Sequence, residues 1–214
     1  MPALPETPPA SHALLPVALD LRRLSVALVG RGARAARRLK LLDEAGAARL
    51  TVYSDRPSQP LAERAGDRLV EHLPRDADLA EADLVFVADL DEDEACLIAG
   101  RARALRRLVN VEDVTTLCDL QSMSVVRRGD VAIGINTGGT CPMLARGLRA
   151  WIDRLLPAGF GLTARRLADM RTSLRADGAD LTPLEDAVAL ALTDLPPLPA
   201  DLRARDLEPV LADR

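Results

Sequence analysis

Three stretches of this chain carry residue types whose spacing could do chemistry. The first is Gly30-Arg31-Gly32-Ala33-Arg34-Ala35, a G-x-G-x-x-A turn. In such a turn the first glycine allows a tight reversal and the second lets the backbone approach a pyrophosphate. The small sixth residue permits close helix–sheet packing. The free N–H groups of a helix starting there would present partial positive charge to phosphate oxygens, so all six residues are candidate dinucleotide contacts. The second stretch is Ser54-Asp55, where a carboxylate could bond an adenosine ribose and repel a 2′-phosphate, favouring NAD over NADP. Arg56 follows at once and works against that preference, and Asp55 could instead cap a turn. Ala88-Asp89, closing a later apolar run, is a further candidate cofactor contact. The third stretch joins Asp113, which could accept a proton as a hydride leaves, to Thr137-Gly138-Gly139-Thr140, which could hold a substrate carboxylate on backbone N–H groups. Arg127, Arg128, Arg146 and Arg149 offer counter-charges for a polycarboxylate. The plainer readings are a capping aspartate, a structural glycine turn and a solvated basic face.

The elements that must position these residues are legible. Leu24 to Val29 is a compact apolar run ending in Gly30, as expected of a buried parallel strand. Ala33 to Ala45 has helical spacing with Gly46 as a stop, and Arg49 to Tyr53 is a second strand, closing a βαβ unit of roughly thirty residues. Asp83 to Ala88 reads as a strand, Glu94 to Leu105 as a helix and Leu108 to Val111 as a buried strand. Strands alternating with helices imply an α/β fold with a Rossmann-type parallel sheet. Asp113 then falls at the carboxyl end of a strand, where ligands bind in open sheets. Beyond that, Ser124 to Arg127 and Val131 to Ile135 flank Arg128-Gly129-Asp130 as an antiparallel hairpin. Pro142 opens a helix to about Leu155, and Leu162 to Leu192 reads as a small C-terminal helical domain with Pro183 as a break. The expected partition is a flexible leader over 1–13, a dinucleotide-binding domain over 14–115 and a dimerisation hairpin with substrate loop over 116–150. A helical domain over 151–193 and a tail over 194–214 complete it.

Composition removes several classes of function. A net charge of −4 with a pI near 5.3 argues against a nucleic-acid binder. Cys96, Cys118 and Cys141 form no C-x-x-C pair, and His12 and His72 stand alone, so a zinc or Cys/His catalytic site is not expected. No run of about 18 apolar residues occurs and the start has no secretory pattern, so a cytoplasmic protein without a membrane span is expected. Short-chain dehydrogenases need a Tyr-x-x-x-Lys pair; the sole Tyr53 and sole Lys40 are in the wrong order and too far apart.

The combination of V-G-R-G over Val29–Gly32, N-V-E-D over Asn110–Asp113, C-D-L over Cys118–Leu120 and N-T-G-G-T-C-P over Asn136–Pro142 resembles the precorrin-2 dehydrogenase family. That family includes the dehydrogenase/ferrochelatase part of siroheme synthases, and the resemblance covers roughly residues 14–165. It implies NAD-dependent removal of hydrogen from precorrin-2 to give sirohydrochlorin, in some members ferrous iron insertion, and an intertwined homodimer. It also implies that Asp113 serves catalysis and metal insertion and that Thr137 lines the tetrapyrrole pocket. A methyltransferase domain making precorrin-2 is not expected within 214 residues. The chain departs from the family pattern in having Arg31 for a middle glycine and Asp89 for a threonine. Met123 stands for a proline and Asn136 for a serine. Arg31 and Asp89 keep open a tetrapyrrole-binding carrier or chelatase without dehydrogenase activity, and the glycine turn alone would also suit a non-catalytic NAD(H)-sensing module of the same fold.

Overall fold

Val26 to Gly30 of the first strand (β1, Ser25–Gly30) are all buried, as a central parallel strand covered on both faces must be. The turn after it feeds helix α1 (Ala33–Glu44), which buries Ala35, Leu39 and Leu42, one stripe at helical spacing, against the sheet. Strand β2 (Arg49–Tyr53), helix α2 (Gln59–Ala65), strand β3 (Leu69–Val70) and helix α3 (Asp76–Ala80) follow. Strand β4 (Leu84–Ala88) is buried throughout. Helix α4 (Glu92–Ala104) is capped by Asp91, whose side chain accepts from the Glu94 N–H, and strand β5 (Leu108–Val111) closes the sheet. The computed structural model describes residues 14–193 and 195; the expected leader, His12 and the tail apart from Leu195 lie outside the described residues.

The sheet order is β3-β2-β1-β4-β5, and every pairing is parallel. Chain connections run outward in opposite directions from β1 and from β4, so a crevice opens at their carboxyl ends. Leu28, Leu39, Val52 and Leu61 anchor the core on one face of the sheet; Val29, Val85, Ile98 and Val109 anchor the other.

Contacts divide the chain between Ser122 and Met123. In the second unit, β6 (Ser124–Arg128) and β7 (Val131–Ile135) pair antiparallel around a two-residue Gly129-Asp130 turn, with Gly129 at φ 58°. Helix α5 (Pro142–Leu155) begins on its proline, and α6 (Phe160–Ala176) and α7 (Thr182–Thr193) follow. The expected break at Pro183 lies earlier: α6 ends at Ala176, Gly178 takes φ 63°, and Pro183 stands in the first turn of α7, where a missing N–H costs nothing.

Two residues in this unit depend on close contact. The Arg128 guanidinium closes the end of α5, donating to the carbonyls of Asp153 at 2.7 Å and Leu156 at 3.0 Å and to Asp153 Oδ1 at 3.0 Å. It is therefore not the free counter-charge expected from sequence. Gly161 in α6 lies against the hairpin turn, where a Cβ would stand 2.5 Å from the Arg128 carbonyl oxygen and 2.9 Å from the Gly129 nitrogen. Gly161→Ala should therefore lower stability by about 1–3 kcal/mol. Gly147→Ala, in the middle of α5 with nothing near its Cβ position, should raise it by about 0.5–1 kcal/mol. Urea unfolding of the two variants beside the parent checks both signs.

Candidate functional site

Gly30 ends β1 where the backbone passes directly against β4. A Cβ there would collide with the Ala88 carbonyl oxygen and stand 2.8 Å from the Ala35 Cβ, so both positions must be minimal. Gly32 is the N-cap residue of α1 and offers no side chain to its free N–H groups. That duty falls to Asp89. Its Oδ2 accepts from the Arg34 N–H at 2.7 Å, the Ala35 N–H also bonds the carboxylate, and Oδ1 accepts from Arg34 Nε at 2.6 Å. Asp89 adopts φ 57°, a left-handed conformation that turns the carboxylate over Gly32; a Cβ on Gly32 would strike it. Burial pushes the Asp89 carboxyl up, but the Arg34 guanidinium and the two N–H groups outweigh burial and hold it below the usual carboxylate range.

Arg31 is a clamp. Its guanidinium, 15% exposed, bonds both oxygens of Asp55 at 2.6 and 2.9 Å and both of Glu94 at 2.5 and 2.7 Å. Its carbonyl accepts from the Ser58 N–H at 2.7 Å. The turn is thus tied to the end of β2 and to the first turn of α4. Hydrogen bonds from Arg31 hold the Asp55 and Glu94 carboxyls below their ordinary values. Asp55 stays partly exposed. Ser54, the other candidate from this stretch, is fully buried; its hydroxyl has no hydrogen-bond partner and its N–H serves the Val70 carbonyl. Ser54 faces the interior rather than an open site. Ala33 lies exposed beside the turn, and Ala88 is buried under it.

Asp113 follows β5 at φ 63°, with its side chain exposed, and Arg34 Nη1 donates to its Oδ2 at 2.8 Å. One arginine therefore joins the carboxylate at the glycine turn to the candidate catalytic carboxylate. Arg34, Ala88, Asp89, Glu112, Asp113 and Val114 help line a cleft of about 140 Å³. The segment is held by residues whose types had suggested a motif rather than a brace. Asn110 Nδ2 donates to the Leu120 carbonyl at 2.9 Å, and the Cys118 sulfur accepts from the Val111 N–H at 3.2 Å. Asp119 Oδ2 accepts from the Val109 N–H at 3.1 Å.

Two acids were missed. Glu94 stands three residues after the N-cap Asp91, a spacing that marks a helix start and was available in sequence. Glu112 lies within the N-V-E-D segment but was given no role; its Oε2 is buried without a partner, and burial pushes its carboxyl up, with Arg38 opposing.

In the second unit Thr137 to Thr140 form a self-bonded turn ahead of α5. Gly138 and Gly139 take φ 63° and 81°, the Thr140 hydroxyl donates to the Thr137 carbonyl at 2.6 Å, and the Thr137 hydroxyl accepts from the Cys141 N–H at 3.3 Å. Asn136 Oδ1 accepts from the Gly138 N–H at 2.5 Å, and Arg146 is exposed on α5.

Comparison with known proteins agrees with this geometry. A family model described as "Putative NAD(P)-binding" matches residues 17–124, half of the chain. The chain belongs to this NAD(P)-binding family. It is 34% identical over 164 residues to a siroheme synthase of Methylobacillus flagellatus, covering 75% of this chain and 35% of that protein. A siroheme synthase of Methylococcus capsulatus is 35% identical over 164 residues, covering 75% and 34%. The chain thus spans about a third of the length of these curated relatives. The solved structure titled "SirC, precorrin-2 dehydrogenase" shares the fold, with a TM-score of 0.66 and 21% identity over 81% of this chain and 86% of that one. The donor set of the turn fits the anionic diphosphate of the family's ligand, because the same N–H groups already hold a carboxylate.

Glu112 supplies a test of the electrostatics. Its carboxyl is raised, so the ionised form is penalised in the folded state, and that penalty is present at neutral pH and vanishes as pH falls through the folded value. Glu112→Gln should raise Tm at pH 7 and give no comparable gain near the ordinary glutamate pKa of about 4.3. Melting curves at the two pH values decide it.

Proposed function

We propose that this chain is an NAD-dependent dehydrogenase that converts precorrin-2 to sirohydrochlorin in siroheme biosynthesis. The observation that carries the reading is Asp113: an exposed carboxylate at the carboxyl end of β5, bonded to an arginine of the glycine-turn helix. Its match over three quarters of its length to proteins named siroheme synthase supports the substrate.

The N–H groups of Arg34 and Ala35 would hold the diphosphate, with Gly30 and Gly32 clearing the backbone approach and Asp55 bonding the ribose. The dinucleotide, when bound, supplies the hydride acceptor. Asp113 takes the proton released as hydride leaves, so that the substrate loses one hydride and one proton in all. Gly139 would present its backbone N–H group to a tetrapyrrole carboxylate, with Gly138, held by Asn136, and Thr137 and Thr140 shaping the turn and Arg146 as a counter-charge. A homodimer is part of the reading, supported by the exposed Met143, Leu144 and Leu148 of α5. So is a cytoplasmic setting; among the described residues no helix is long and apolar enough to cross a membrane. For iron insertion Asp113 is the one residue the reading names; among the described residues no group of three metal-ligating side chains gathers. A tetrapyrrole-binding module without turnover is favoured by one observation, the Asp89 carboxylate on the diphosphate's donors.

Supplying precorrin-2 and NAD to the purified protein, and following NADH and the sirohydrochlorin spectrum, tests the proposal; cofactor binding without turnover would sink it. Asp113→Asn keeps a side chain that tolerates left-handed backbone. It should cut kcat by about 10²–10⁴-fold, and full activity would remove Asp113 from the mechanism. Asp55→Ala leaves Arg31 and Arg56 facing the ribose without that carboxylate, so the preference for NAD over NADP should narrow by about tenfold, read from the ratio of kcat/KM values.

A further inference from the structure

We infer that Asp89 sets how tightly this chain takes its dinucleotide, because its carboxylate occupies the diphosphate's place at the start of α1 and must leave before the cofactor enters. The inference rests on the dinucleotide reading of the glycine turn and deepens it.

A diphosphate docking on a glycine turn needs the first free N–H groups of the helix, a nearby cation and an open face over the second glycine. In this chain one side chain uses all three. Asp89 accepts the Arg34 N–H at 2.7 Å and the Arg34 Nε at 2.6 Å, and it fills the space a Cβ on Gly32 would take. The carboxylate stands in for phosphate oxygens in charge and in donors. Competition is therefore direct: an incoming phosphate meets a like charge on the donors it requires. The arrangement is built into the backbone, since Asp89 directly follows β4 and its φ of 57° directs the carboxylate over the turn.

Two substitutions respect that backbone. Asn is tolerated in left-handed conformation and keeps an acceptor without charge, and Gly removes the side chain at no conformational cost. The purified full chain and its Asp89→Asn and Asp89→Gly variants are titrated with NAD by calorimetry, and each is melted with and without inorganic pyrophosphate. Both variants should bind NAD about tenfold tighter than the parent, equivalent to about 1.4 kcal/mol. Pyrophosphate should raise the Tm of Asp89→Gly and leave the parent unmoved. A role confined to capping α1 predicts the opposite: unchanged or weaker NAD binding in both variants and no pyrophosphate response. That result overturns the inference while leaving the dinucleotide reading intact. A pyrophosphate response without NAD binding upholds the occupied cradle and sinks the dinucleotide reading. Failure of all three proteins to respond to either ligand overturns both.

Discussion

The Ala88 carbonyl oxygen leaves no room for a side chain on Gly30, and the first unit is arranged around that contact. β1 and β4 are hydrogen-bonded neighbours from which the chain departs in opposite directions, so the turn after β1 must cross the end of β4 at backbone distance. Crossing there delivers α1 with its first N–H groups facing the crevice. It also brings the carboxyl ends of β2, β4 and β5 within reach of one six-residue turn. Asp55, Asp89 and Asp113 each follow one of those strands, and the two arginines of the turn, Arg31 and Arg34, collect them.

The arginines position more than they stabilise. An exposed ion pair is worth about 0–1 kcal/mol, because each long side chain gives up freedom to hold one geometry. A guanidinium that spans two carboxylates gives up that freedom once for two contacts, and its planar fork fixes direction as well as distance. Arg31 thereby holds the turn, the end of β2 and the start of α4 as one piece. Asn110, Cys118 and Asp119 do the same for the segment carrying Asp113, using a buried amide, a sulfur and a carboxylate on main-chain groups.

Much of this was legible in the sequence, and the omissions have physical causes. β1 and β4 are nearly continuous apolar runs bounded by turns, as buried parallel strands are, and β2 and β5 keep enough apolar residues to follow the same pattern. β3 has two residues and α3 five, too short for any periodicity to register. The glycine turn was readable because its demands are local. The ion pairs were not, since Arg31 reaches partners 24 and 63 residues away and Arg34 partners 55 and 79 away. Arg31 and Asp89 stood out as departures from the family pattern; only the fold gives them partners, Asp55 and Glu94 for Arg31 and Arg34 for Asp89. Residue type does not reveal which way a side chain faces at the end of a strand, and Ser54 faces inward.

The backbone at position 89 bears on how such chains are matched to one another. A β-branched side chain is poorly tolerated at φ 57°, so a chain with threonine after β4 must carry its main chain past the crevice by another path. Residues paired column by column in a sequence alignment would then stand at different points in space, and a similarity score would count as one substitution what is a rerouted loop.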